Sequence, residues 1–373
     1  MRRATHQARV PSRPTPLPSS LEPVFEADVR IGALTLANGA RLDDVVQRVT
    51  RYGVEPNADG SNVVLMLHAL TGSSRVAEWW SGLVGTGALV DPTRACLIGI
   101  NVLGGCYGST GPASFAPEGA RYGARFPIVT VADMVDAQAR ALTELGIARS
   151  AIVIGGSLGG MQALQWSVRY GERVGEAVVV GAHDGFSALG IGLNFCARTA
   201  IMNDPMYRDG AYSDSAPPLD GIRLARMIAM LSYKSDVLLE DRFANRPDRG
   251  GGDPAQARAD RFDVEGYLAY QADLFARRMD ANAYLTLTRA MDLFDVRSAP
   301  IAHPTRTTFV GIENDWLFPP AYVRAAAARM RARGVDAMYL DLPSNHGHDA
   351  FLAETQTLAA LIEPHLGAAL SRR

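Results

Sequence analysis

Apolar residues fall along this chain in two rhythms. Short unbroken runs at 62–67 (NVVLML), 95–101 (ACLIGIN), 151–154 (AIVI) and 177–180 (AVVV) have the length and β-branched content of strands buried on both faces. Between the second and third, Val131, Met134, Val135, Ala139, Leu142 and Leu145 recur at helical spacing and predict a helix over 131–145. This alternation, running from about residue 25, predicts a mostly parallel sheet with helices on both faces. From about 185 to 295 the strand rhythm is lost. Helical stretches such as GIRLARMIAMLSY (221–233) and ANAYLTLTRAMDLF (281–294) replace it, interrupted by a polar, glycine-rich loop at 244–260. Strand-like runs return at 307–312 and 337–342, and a last helix follows near 354–361. A sheet resumed after a helical excursion reads as one α/β unit, 25–184 with 300–370, carrying a helical insertion at 185–299. No internal repeat is visible.

Composition narrows the function classes. The chain has 373 residues, 47% hydrophobic and 20% charged, enough for one large core with an insertion. A formal net charge of −2 gives no electrostatic case for nucleic acid or an anionic membrane as the main partner. No apolar run reaches the length of a membrane span. Three scattered cysteines, Cys96, Cys106 and Cys196, form neither a disulfide framework nor a zinc pattern, so a reducing, cytoplasmic setting and no metal are expected. The first 20 residues carry arginines and four prolines without an apolar core, which predicts a disordered tail rather than a secretory signal.

The candidate chemistry sits at AIVIGGSLGGMQALQW, residues 151–166. Gly155-Gly156-Ser157-Leu158-Gly159 fits G-x-S-x-G between a strand and a helix, and small residues permit the sharp turn that exposes a nucleophilic serine. The competing reading is a tight turn whose serine merely caps the helix. A neutral serine hydroxyl needs a base. His346 and His348 follow the last strand, and Gly347 lets the loop swing His348 over the sheet edge. Glu313 and Asp315 follow the strand before it. Asp315, in the loop, is placed to orient the imidazole, whereas Glu313 ends the strand facing solvent. Serine, acid and histidine thus come in the order of an α/β-hydrolase triad. The oxyanion hole falls to the backbone N–H groups of Leu158 and of Leu70 in the early loop 67–72. His68 in that loop reads as structural. Cys106, the rival nucleophile, has no histidine nearby in sequence and reads as a loop residue lining the site.

With these residues in place the chain resembles the homoserine O-acyltransferases of the α/β-hydrolase superfamily. The resemblance runs through HALTGSS (68–74), NVLGGCYGSTGP (101–112), FPIVTVADMVDAQ (126–138), GGSLGGMQALQW (155–166), ARTAIMNDP (197–205), GIRLARMIAMLSY (221–233), the run at 267–285 and GHDAFL (347–352). It implies an α/β-hydrolase fold with a helical lid at 185–299 that also carries a homodimer interface. It implies Ser157, Asp315 and His348 as the triad, and Arg226 and Asp349 as contacts to the charged ends of L-homoserine. The implied reaction is ping-pong acyl transfer from acyl-CoA, a co-substrate and not a resident cofactor, in methionine biosynthesis. The resemblance also bears on the donor: succinyl-using members can carry an arginine after the catalytic acid, so Leu317 in Trp316-Leu317-Phe318 points to acetyl-CoA, with succinyl-CoA the alternative. Two stretches depart from the family, the segment before residue 60 and GAHDGFSALGIGLNF (181–195). The second leaves L-serine open as acceptor. A triad alone also permits an esterase or thioesterase, and a binding protein with a dead triad is the non-enzymatic reading.

Overall fold

A computed structural model describes residues 21–366; the expected N-terminal tail lies outside them. Eight strands form one sheet in the order β1-β2-β4-β3-β5-β6-β7-β8. They are β1 (Phe25–Thr35), β2 (Arg41–Gly53), β3 (Val63–Leu67), β4 (Cys96–Ile100), β5 (Ser150–Gly156), β6 (Val174–Val180), β7 (Arg306–Ile312) and β8 (Ala337–Leu342). From β4 to β8 every neighbour is parallel, while β2 runs antiparallel to both β1 and β4.

The unbroken apolar runs have a direct cause. Val63, Leu65 and Leu67 point into one core while Val64 and Met66 point into a second on the opposite face. Val153 divides from Ile152 and Ile154 in the same way. A strand with period-two side chains and a core on each side has no polar face. One core is closed by α2 (Val131–Glu144), α3 (Leu158–Arg169) and α9 (Pro320–Ala332). The other is closed by α1 (Val76–Trp79), α10 (Ala350–Ala353) and α11 (Thr355–Ile362), with Trp80 and Phe351 at its centre. Helix α2 starts where Thr130 and Asp133 form a reciprocal capping box.

The hairpin β1–β2 was not resolved as two strands by the apolar pattern. Arg41, Asp43, Asp44 and Arg48 dilute β2, whose first half buries one face only, and β1 is bulged around Gly32. Between β6 and β7 the chain forms α4 (Ala188–Met202), α5 (Leu219–Tyr233), α6 (Asp236–Arg242), α7 (Asp263–Ala276) and α8 (Ala281–Asp292). Of these, α4 packs on α5 and α8, and α5 on α7. Among the described residues no helix is long and apolar enough to cross a membrane. Nor do those residues gather three metal-ligating side chains.

Candidate active site

Ser157 stands between β5 and α3 with φ 58° and ψ −123°, a conformation that costs an L-residue about 1–3 kcal/mol. The turn is held by its surroundings. Ser157 N–H donates to Val180 O at 2.9 Å, and the Ser157 carbonyl accepts from Met161 N–H at 2.9 Å. The glycines are required by space. A Cβ on Gly159 would lie 2.0 Å from Leu67 O, and one on Gly155 would lie 2.2 Å from Gly159 O. The Ser157 side chain makes no capping hydrogen bond to α3, which removes the helix-cap reading.

His348 lies in a short turn after β8, fully enclosed, and its Nδ1 meets Asp315 Oδ2 at 2.7 Å. Asp315 is itself fixed, its Oδ1 accepting the N–H groups of Leu317 at 3.0 Å and Phe318 at 2.8 Å. With Nδ1 donating to the carboxylate, Nε2 is the basic nitrogen; it is buried and meets no partner. Phe318 stacks on the ring at 5.0 Å, and Tyr233 and Phe351 pack at 5.9 and 5.6 Å. Burial pulls the His348 pKa down, but the charge and hydrogen bond of Asp315, with Asp349 behind, outweigh it and leave the pKa raised. Glu313 is exposed, and His346 lies on the surface side, 3.6 Å from Glu354.

The oxyanion-hole candidates flank the serine. Leu70 lines the same cavity as Ser157, and Leu158 follows it at the start of α3. Among the described residues neither backbone N–H is taken by another acceptor. A buried relay holds the loop bearing Leu70. Trp166 Nε1–H donates to Gln138 at 2.9 Å, Gln138 Nε2–H to Gln162 at 2.6 Å, and Gln162 Nε2–H to His68 O at 3.2 Å. His68 bridges two loops, Nδ1 to Ala69 O at 2.8 Å and Nε2 accepting Val102 N–H at 3.1 Å. Burial pushes its pKa to about 4, so it is a neutral strut. Arg278 adds a second clamp through Thr71 O at 2.9 Å and Tyr107 at 3.1 Å. Burial pushes the Cys106 thiol up to about 12, which leaves no thiolate near neutrality and argues against Cys106 as nucleophile.

The charged candidates stand around this centre. Arg226 lies half-buried on α5, its guanidinium 5.6 Å from the Tyr233 ring and 4.8 Å from the Phe275 ring. It has no carboxylate partner among the described residues, and its Nε is buried without a hydrogen bond. Asp349, next to His348, pairs through Oδ2 with Lys234 Nζ at 2.8 Å. Neither Arg226 nor Asp349 lines the immediate cavity over Ser157, which is about 20 Å³, room for about one water. Lys234, Gln162 and Arg278 are the residues the sequence did not yield. For Gln162 a signal existed, since a polar residue in a fully buried helix must find a partner; for the other two there was none.

A serine on a strand–helix turn, followed in the chain by a hydrogen-bonded acid and histidine after later parallel strands, is the order of an α/β hydrolase, and the alpha/beta hydrolase fold family matches residues 62–353. Among curated proteins, the homoserine O-acetyltransferase of Symbiobacterium thermophilum is 43% identical over 86% of this chain and 88% of its own length. The homoserine O-succinyltransferase of Ralstonia nicotianae is 42% identical over 89% and 86%. The chain belongs to the homoserine O-acyltransferase family and is an enzyme of that class. Among solved structures, esterase E22 superposes with a TM-score of 0.84 at 25% identity, covering 92% of this chain and 100% of its own. The architecture is thus shared with a protein named as an esterase.

Proposed function

We propose that this enzyme transfers the acetyl group of acetyl-CoA to the hydroxyl of L-homoserine, supplying methionine biosynthesis in the cytoplasm, by double displacement on Ser157. The Ser157 hydroxyl gives its proton to His348 Nε2 as Oγ attacks the thioester carbonyl. The N–H groups of Leu70 and Leu158 hold the oxyanion, and collapse expels the CoA sulfur, which takes the proton from His348. The homoserine hydroxyl then gives its proton to His348 and attacks the acyl-serine. Collapse returns the proton to Ser157 Oγ and releases O-acetylhomoserine. Asp315 holds the ring in the productive tautomer and stabilises the imidazolium in both halves.

The observation that carries this reading is Arg226, an unpaired guanidinium held by two aromatic rings behind the cavity wall. A hydrolase acting on simple esters has no use for such a cation, whereas an amino-acid acceptor brings a carboxylate to it. Asp349 takes the ammonium; Lys234 engages Oδ2, which leaves Oδ1 for a second cation. The cavity wall supports acetyl as the donor group. Leu317, Leu193, Ile228 and Met291 surround Ser157 with no arginine or lysine among the lining residues. The carboxylate of a succinyl group would be buried there unpaired, at a cost of several kcal/mol. The walls over the serine come from α4, α5 and α8, a lid that must part to admit substrate and exclude water after it closes. The test is a matrix of acetyl- and succinyl-CoA against homoserine and serine. The reading expects the highest kcat/KM for acetyl-CoA with homoserine, and CoA release that depends on the acceptor. Equal release without acceptor would make the enzyme a thioesterase.

A further inference from the structure

A second cavity, about 610 Å³, opens beside the reaction site between the end of β6, the start of α4 and helix α9. Its floor is His183, Asp184, Gly185 and Phe186. Phe186 also lines the cavity over Ser157, and Trp316 at the mouth adjoins Leu317 there, so the two spaces are separated by little more than one ring. That ring packs on Phe318, which in turn stacks on His348.

The lining has a consistent chemistry. Phe186, Trp316 and Tyr322 offer aromatic surface, and Tyr322 is 52% exposed. His183 packs on Phe318 and Tyr322 at 5.6 and 5.7 Å and is 6% exposed, yet its Nε2 is buried without a partner. Burial pushes its pKa to about 4, so it presents a neutral ring nitrogen. Arg329 and Arg297 form the far wall. Arg329 forks onto Asp184 with two contacts of 2.6 Å, and Arg297 pairs with Asp295. Each guanidinium has five N–H donors and spends about two on its carboxylate, so donors remain on the side chains that stay half exposed. The wall joins aromatic surface to spare guanidinium N–H donors, which suits a group that combines a planar ring with anionic oxygens.

We propose that this cavity takes the adenosine-phosphate end of the acyl-CoA donor, the ring between Trp316 and Tyr322 and the phosphates toward Arg297 and Arg329, while the pantetheine arm passes Phe186 to Ser157. The proposal rests on the reading of the donor as an acyl-CoA. Stacking on an aromatic side chain supplies binding that tolerates the ring's orientation, and the donor wall supplies direction for the phosphates. The thioester then reaches the serine from the α9 side, and homoserine from the side of Arg226 and Asp349.

The test compares acetyl-CoA with acetyl-pantetheine, which keeps the thioester and lacks the nucleotide, in the whole enzyme and in Tyr322→Ala and Arg297→Ser. Both side chains are largely exposed, so folding is preserved, and circular dichroism checks it. Each substitution is expected to lower the ratio of kcat/KM for acetyl-CoA over acetyl-pantetheine by roughly tenfold. Adenosine 3′,5′-bisphosphate is expected to compete with acetyl-CoA, and more weakly in both variants. An unchanged ratio overturns the proposal. So does inhibition by the nucleotide that is not competitive with acetyl-CoA, which would make the cavity an effector site. Because release of the thiol reports hydrolysis as well as transfer, the ratio remains readable even if the acceptor proves to be water.

Discussion

At the scale of single residues the proposed chemistry depends on one buried, unpartnered lone pair, that of His348 Nε2. Asp315 and Asp349 raise the pKa of this ring against the pull of burial, and the proposed mechanism needs the ring neutral to accept the serine proton. Rate should therefore fall as pH drops through an apparent pKa above the ordinary histidine value of about 6.5. Asp315→Asn removes the strongest of the raising groups. It should cut kcat by about 10⁴ through loss of the tautomer and shift the acid limb to lower pH. Lys234→Met should move the limb the other way, because Asp349 loses its 2.8 Å counter-charge and acts more strongly on the histidine. A pH profile of kcat/KM on the three proteins checks both signs; a limb that stays in place in both variants would show that neither carboxylate governs the base. Of this set, the Ser157 turn and the Asp315–His348 contact were legible because each residue follows a strand in a fixed order. Lys234 was not, since a lysine after a helix looks the same whether it faces water or a carboxylate.

At the scale of elements, the site is a meeting of loops pinned by buried polar groups. Gly159 lets α3 approach Leu67 within the space of a hydrogen, and Gln162 ties that helix to the loop of Leu70. Gln162→Leu keeps the volume and removes the hydrogen bonds. It leaves Gln138 Nε2 and the His68 carbonyl unpartnered in a fully buried place, at about 1–3 kcal/mol. Thermal unfolding should show the lost stability. The acylation rate should fall by roughly tenfold or more as the Leu70 N–H loses its aim, while KM for homoserine stays near the parent value. A full rate in this variant would remove the Leu70 loop from the oxyanion hole. The buried parallel strands were read correctly from apolar runs because both faces meet a core. The β1–β2 hairpin lacked that signal, with charged residues exposed along β1 and the first half of β2 and its alternation broken by bulges. The helical insertion was visible in outline, while its packing over the serine depends on contacts between residues distant in the chain.

At the scale of the molecule, the outer faces of the insertion are unusually apolar. Ile191, Phe195 and Met202 on α4, Leu224 and Leu231 on α5, and Tyr270 and Leu274 on α7 are each more than a third exposed. Their spacing puts one stripe on each of three helices that pack side by side. We propose that a second copy of the chain covers these stripes. The enzyme should then sediment as a dimer, and Phe195→Glu with Leu224→Glu should give monomers with a more mobile lid; a parent protein that is monomeric at micromolar concentration contradicts this. The central claim is that Ser157 carries the acyl group from CoA to an amino acid's hydroxyl. The most direct test is intact-protein mass spectrometry after mixing the enzyme with acetyl-CoA alone, then adding homoserine. The account predicts one acetyl group on the Ser157 peptide, discharged by homoserine as O-acetylhomoserine and absent from Ser157→Ala. An acetyl group that never appears, or that leaves as free acetate at the same rate with and without homoserine, would contradict it.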